Sequence, residues 1–247
     1  MPRSNLPQYH RQMRPIAVVQ HEKSVPPGSI RDVLQESDVD HFVLQAWDDQ
    51  EWPRAGDLGG LVVLGGTMNA DELDRYPFLR SSRDLLSEAL TLGLPTMGVC
   101  LGSQLMARVL GGDIVRAERR NALFSELEIV GEDTVLAPFA SGTPVLQFHE
   151  DTFTIPPGTT PLATSGATGL HQAFRYGDRA YAVQFHFEVD DDIVREWCHN
   201  IGEPGMSEEW GVSTEDLLAK TRAYIGAQRS AGQELFRRFL GNNTATS

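Results

Sequence analysis

The stretch Thr96-Met97-Gly98-Val99-Cys100-Leu101-Gly102-Ser103-Gln104 decides how this chain is read. Pro95 to Val99 is a short strand-like run. Beyond Cys100 the apolar residues Leu101, Leu105 and Val109 recur at helical spacing, with Met106 and Leu110 beside them, until Gly111-Gly112 closes the pattern. Cys100 therefore stands at a strand-to-helix junction in a Gly-x-nucleophile-x-Gly frame, whose small flanking residues permit a sharp turn that exposes one side chain above a sheet. A helix opening at Leu101 aims backbone N–H groups and the positive end of its dipole at the thiol, which favours thiolate and suits an oxyanion. A buried structural cysteine fits the same frame, so its partners must separate the two readings.

Toward the N-terminus the segments alternate between strand and helix. Ile16-Ala17-Val18-Val19 reads as a strand, Pro26-Pro27-Gly28-Ser29 as a turn, and Ile30 to Gln35 as a helix. His41-Phe42-Val43-Leu44 is a second strand, Trp47 to Asp57 a surface loop, and Leu61-Val62-Val63-Leu64 a third strand that stops at Gly65-Gly66. Near-continuous apolar runs suit strands covered on both faces, as in a parallel sheet. Leu79, Leu85, Leu86, Ala89 and Leu90 mark a helix between Tyr76 and Leu92 that stops at Gly93.

Toward the C-terminus, Asp113 to Phe185 breaks into short strand-like pieces: Ile114-Val115, Leu127 to Val130, Val145 to Phe148 and Tyr181 to Phe185. These predict antiparallel additions and the far edge of the sheet. Asp190 to Asp192 places negative charge at the start of a helix through Trp197, and Ser213-Thr214-Glu215-Asp216 resembles a capping box opening a last helix to Leu240. One α/β domain over 1–247 is expected, with 1–13 and 241–247 as flexible ends.

Composition narrows the partners. The 247 residues carry 21 Lys plus Arg against 34 Asp plus Glu, a net charge of −13 that opposes nucleic acid and anionic lipid. Apolar runs such as Leu61 to Leu64 fall far short of the roughly 20 residues that span a bilayer. Met1 to Arg14 is polar rather than signal-like. A cytoplasmic protein is expected. Two cysteines, Cys100 and Cys198, exclude a disulfide framework, and Cys198 reads as core packing. No metal-ligand spacing and no phosphate-binding glycine loop is present, so neither metal nor nucleotide cofactor is expected.

A thiolate nucleophile needs a base, and usually a third group to orient that base. Of seven histidines, His10, His21, His41 and His199 have no neighbouring chemistry in sequence. His186 follows the strand Tyr181-Ala182-Val183-Gln184-Phe185, and Glu188 lies two residues on, so extended backbone puts both side chains on one side. Strand ends are where an open α/β sheet gathers its ligand sites. At Gly65-Gly66 the missing side chains let backbone N–H groups approach a ligand, giving Gly66 and Leu101 as two oxyanion donors.

Gly98-Val99-Cys100-Leu101-Gly102-Ser103-Gln104, Gly65-Gly66 and Gln184-Phe185-His186-Phe187-Glu188 together resemble the class I (triad) glutamine amidotransferases, in particular stand-alone members similar to the glutaminase domain of GMP synthase. The resemblance implies an open, mainly parallel sheet flanked by helices in a flavodoxin-like three-layer arrangement. It implies that Cys100 attacks the glutamine amide, that His186 protonates the departing ammonia, that Glu188 orients His186, and that water releases glutamate from a γ-glutamyl thioester. It also implies substrate contacts from Gly65, Gln104 and the His149-Glu150-Asp151 stretch. A separate ammonia-accepting synthetase is an expected partner, since no ATP-binding module is found in the sequence.

Three departures stand out. His-Pro-Glu becomes His186-Phe187-Glu188, His-Gly-Asp becomes His149-Glu150-Asp151, and Lys-Glu-Ile-Gly becomes Arg120-Asn121-Ala122-Leu123. Glu150 puts a Cβ and a negative charge where glycine lets the backbone approach a substrate carboxylate. This leaves a γ-glutamyl peptidase or hydrolase acting on a glutathione-like compound as an alternative to a glutaminase. A noncatalytic regulatory binder retaining the fold is the other.

Overall fold

The computed structural model describes residues 14–140 and 142–244. The expected flexible end 1–13, with His10, lies outside them, as does 245–247. Among the described residues, ten strands and six helices follow in the order β1 (Ile16–Gln20), α1 (Ser29–Glu36), β2 (His41–Gln45), β3 (Gly60–Val63), α2 (Phe78–Thr91), β4 (Thr96–Val99), α3 (Leu101–Val109), β5 (Ile114–Ser125), β6 (Leu127–Ile129), β7 (Val145–Phe153), β8 (Thr160–Ser165), β9 (His171–Tyr176), β10 (Ala180–Val183), α4 (Asp191–Ile201), α5 (Glu203–Glu208) and α6 (Thr214–Thr244).

An eight-stranded sheet has the order β2-β1-β3-β4-β10-β9-β8-β6, and β5 pairs with β7 in a separate ribbon. Strands β2, β1, β3, β4 and β10 run parallel, and β9, β8 and β6 continue the sheet antiparallel. The apolar runs explain the layers. Val18, Val62, Met97, Val99 and Val183 point to one face, where they pack with Ile30, Val33 and Leu34 of α1 and Leu235, Phe236 and Phe239 of α6. Their alternating neighbours Ala17, Val19, Leu61, Val63 and Ala182 meet Leu79 and Leu86 of α2 and Leu105 and Met106 of α3 on the other. Strands buried on both faces between two helical layers are what near-continuous apolar runs produce.

Two expectations change. Tyr181 to Val183 does not lie at the far edge: β10 pairs in parallel with β4, Val183 opposite Val99, in the middle of the sheet. It has a partner along each edge, β4 on one side and β9 on the other, and its residues are all buried. The last helix runs past Leu240 to Thr244. The helix starts are as the charges suggest. Asp190 accepts the Ile193 N–H at 3.0 Å and Ser213 Oγ accepts the Asp216 N–H at 3.1 Å, caps of about 1 kcal/mol each. No helix among the described residues is long and apolar enough to cross a membrane.

Candidate active site

Cys100 is held in a conformation that non-glycine residues rarely adopt, with φ 52° and ψ −110°. Its N–H donates to Val183 O at 2.8 Å, and its carbonyl accepts from Ser103 N at 3.0 Å, Gln104 N at 3.1 Å and Ser103 Oγ at 2.6 Å. The flanking glycines make the turn possible. A Cβ on Gly98 would lie 2.5 Å from Gly102 O, and one on Gly102 would overlap the Val63 carbonyl. Strand, turn and helix are pressed together too closely for any side chain at either position. Leu101 opens α3, so its N–H is among the first of the helix, which have no acceptor within it.

The central position of β10 delivers His186 to this turn. Beyond Val183 the chain continues alongside β7, where His186 N–H donates to Leu146 O at 2.9 Å. The His186 ring and the Glu188 carboxylate, both buried, meet at 2.7 Å between Nδ1 and Oε1. With Nδ1 so engaged, Nε2 is the nitrogen left on the Cys100 side, and the thiol is close enough to act electrostatically on the ring. Burial alone would lower the pKa of this ring, but the Glu188 carboxylate and Cys100 outweigh it and raise the pKa to about 10. A Cβ on Gly65 would lie 3.3 Å from His186 Cε1 and 3.4 Å from Cys100 Cβ. Cysteine, histidine and the glycine loop thus converge.

Phe187 stands where the related motif has proline, and packing replaces the ring constraint. Phe187 lies edge-on to Phe185, and a Cβ on Gly232 of α6 would overlap its carbonyl. On the other side, Glu188 O accepts from Ser29 N at 2.8 Å. Gly28, with φ +51°, permits that approach, since a Cβ there would overlap the same carbonyl.

Cys100 and His186 open into a cavity of about 690 Å³ that Gly66, Gln104, His149 and Glu150 also line. Gln104 Nε2 donates to Asp151 O at 3.0 Å and to Gln184 Oε1 at 3.2 Å, which anchors the side chain to β7 and to the stretch after β10. His149 is buried, with Nδ1 donating to Asp151 O at 3.0 Å and Nε2 unpartnered. Burial lowers its pKa to about 4, against the Asp151 bond and together with the charge of His186. Glu150 is paired with Arg116 and, at 3.3 Å, with Arg120. Arg120 also pairs with Glu209 and lies over Trp210.

Several wall residues carry no sequence signal. Trp197 of α4 lies edge-on to His186 at 4.9 Å, and Phe148 bridges Trp197 and Trp210. Asn69 Nδ2 donates to Asp151 Oδ2 at 2.6 Å, tying the glycine loop to β7. His21, without neighbouring chemistry in sequence, is fully buried beneath Gly65. His171 does not line the cavity, and Cys198 packs in the core around α4. Among the described residues no cluster of three or more His, Cys, Asp or Glu is arranged to hold a metal ion.

The family model for glutamine amidotransferase class-I matches residues 28–192, and the chain belongs to that family. It is 29% identical over 202 residues to the glutamine-hydrolyzing GMP synthase of Trichormus variabilis, an alignment covering 79% of this chain and 36% of that enzyme. It is 34% identical over 131 residues to a glutamine-hydrolyzing GMP synthase subunit of Sulfolobus acidocaldarius, covering 52% of this chain and 66% of that one. The chain thus spans about a third of the length of the full GMP synthases it matches. Among solved structures, a glutamine amidotransferase from Thermotoga maritima superposes with a TM-score of 0.82 at 27% identity, over 92% of this chain and 98% of that one. A glutamine amido transferase from Methylobacillus flagellatus shares the fold with a TM-score of 0.84 at 24% identity, over 93% and 95%.

Proposed function

We propose that the protein hydrolyses the side-chain amide of glutamine through a γ-glutamyl thioester on Cys100. The observation that carries this reading is the buried 2.7 Å His186–Glu188 pair beside the strained cysteine turn. An imidazolium at His186 stabilises a thiolate, which attacks the amide carbon. The oxygen becomes negative between the N–H groups of Gly66 and Leu101. Collapse breaks the C–N bond as His186 Nε2–H gives its proton to the departing ammonia, leaving the thioester and a neutral imidazole. His186 then takes a proton from water as the hydroxide attacks the thioester, and glutamate leaves as the thiolate–imidazolium pair is restored. Glu188 holds the ring tautomer and orientation throughout. Gln104, His149 and Glu150, which line the cavity, shape the subsite for the amino-acid end, whereas Gly65 packs against Cys100 and His186 without lining it. The relatives' names support ammonia delivery to a synthetase as the physiological use.

A glutamine-mimicking chloroketone tests the nucleophile. Intact mass is expected to show one adduct on the native chain and none on Cys100→Ala. Labelling that persists in the variant contradicts the reading.

One observation favours a larger donor. A cavity of about 690 Å³ falls in the range of about 300–1,000 Å³ that accommodates ligands bigger than one amino acid. Phe148, Trp197 and Trp210 line it, and Trp197 packs against the histidine that protonates the leaving nitrogen. An N-substituted γ-glutamyl amide would place its substituent there. Comparing kcat/KM for glutamine and γ-glutamyl peptides decides which donor the site prefers.

A further inference from the structure

The geometry points to His21 as the positioning residue that aims one of the two oxyanion donors. This rests on the hydrolytic reading above and adds a residue to it. His21 follows β1 and is buried below the loop after β3. Its Nδ1 lies 3.1 Å from Leu64 O and 3.3 Å from Gly65 O, and its Nε2 lies 2.9 Å from Ser82 Oγ on α2.

The tautomer follows from the partners. Carbonyl oxygens only accept, so Nδ1 carries the hydrogen. Nε2 of the neutral ring then accepts the Ser82 hydroxyl proton. Burial keeps the ring neutral, lowering its pKa to about 4 against the two backbone bonds. The Gly65 carbonyl belongs to the same peptide unit as the Gly66 N–H. No described peptide bond is cis, and in a trans peptide the C=O and N–H point in opposite directions. Fixing Gly65 O downward onto His21 therefore turns Gly66 N–H upward, on the side where Gly66 lines the cavity with Cys100. A hydrogen bond to the carbonyl also polarises the unit and strengthens the N–H as a donor.

Glycines supply no side chain to hold that orientation, so the clamp must come from outside the loop. A Cβ on Gly66 would lie 3.3 Å from His21 Cβ and 2.9 Å from Leu101 Cδ2. The loop is therefore seated directly between the clamp and the start of α3, whose first N–H is the second donor.

The test compares His21→Ala, His21→Asn and Ser82→Ala with the native chain. Each is assayed for glutamine and γ-glutamyl peptide hydrolysis, for Cys100 alkylation by iodoacetamide, which develops no oxyanion, and for melting temperature. His21→Ala is expected to lower kcat about 10²-fold, the scale of one lost oxyanion donor, with KM and the alkylation rate within about twofold. Asparagine, whose Nδ2–H can stand in for Nδ1–H, should recover at least about tenfold. Ser82→Ala, which frees the tautomer but disturbs packing less, should lower kcat about tenfold and decides the matter if His21→Ala does not fold. Unchanged kcat in the folded variants overturns the inference. A fall in kcat matched by equal falls in alkylation and melting temperature also overturns it, since that reports only core packing. A native chain that hydrolyses none of these donors overturns the hydrolytic reading itself, and the role of His21 with it.

Discussion

The parallel half of the sheet and the antiparallel additions are built by different means. In β1, β3, β4 and β10 every residue is buried, and the candidate site hangs from the ends of these strands. The β5–β7 ribbon, by contrast, slips register between Arg116 and Asn121, and β5 is exposed or half-buried over much of its length. Its outer side is laced by charges, Arg116 and Arg120 of β5 on Glu150 of β7 and Arg120 on Glu209, while β7 is tied inward through Asp151 to Gln104 and Asn69. Close packing fixes one geometry, whereas ion pairs at a partly exposed rim tolerate exchange. On the function proposed above, the closely packed half would carry the chemistry and the ion-paired rim of the ribbon the choice of donor.

The largest effect should come from breaking the rigid half at its tightest point. Gly102→Ala forces a methyl into the Val63 carbonyl, and we expect complete loss of hydrolysis with a stability cost of about 3 kcal/mol or more, read by thermal melting and chloroketone labelling. Next, Glu188→Gln keeps the shape but removes the charge that orients His186. Steady-state kinetics should show kcat down about 10³- to 10⁴-fold with the melting temperature little changed.

Acid should strike both halves. His21 under the glycine loop and His149 on β7 each have a pKa lowered from 6.5 to about 4. A group that is neutral in the fold contributes fully above its unfolded pKa. That contribution is lost as pH falls from about 6.5 through 4, about 3 kcal/mol for each ring. Chemical unfolding of the native chain and of His149→Gln at pH 7 and pH 4 isolates the ring at 149: the variant should lose about 3 kcal/mol less than the native chain on acidification. A smaller effect belongs to the wall: Glu150→Gly should change the ratio of kcat/KM between glutamine and γ-glutamyl peptides by about tenfold, while chloroketone labelling still occurs at Cys100. Least of all, Arg80→Ala breaks an exposed pair with Asp74 and should move stability by less than about 0.5 kcal/mol.

The same division governs what can be read from the sequence. Continuous apolar runs and glycine pairs are local signals, so β1 to β4, α3 and the Cys100 turn are legible, and the family resemblance rests on that turn and Gly65-Gly66 together with the Gln184 to Glu188 motif. The position of β10 is not, because Ala180 to Val183 does not encode which neighbour it will have. In the additions, Thr160–Ser165 and His171–Tyr176 mix polar and apolar residues, and the charged run Arg116 to Arg120 conceals the length of β5. His21 gives no local sign of its role because its partners lie 43, 44 and 61 positions away. Phe148, Trp197 and Trp210 lie far apart in sequence, and only β7, α4 and the turn after α5 bring them to one wall.

The most direct test of the thioester route is an acid quench of the native protein during turnover of glutamine, followed by intact-mass and peptide analysis. A γ-glutamyl adduct is expected on the peptide containing Cys100 and none on Cys100→Ala, which should release no ammonia. Ammonia release at an undiminished rate by Cys100→Ala would contradict that route.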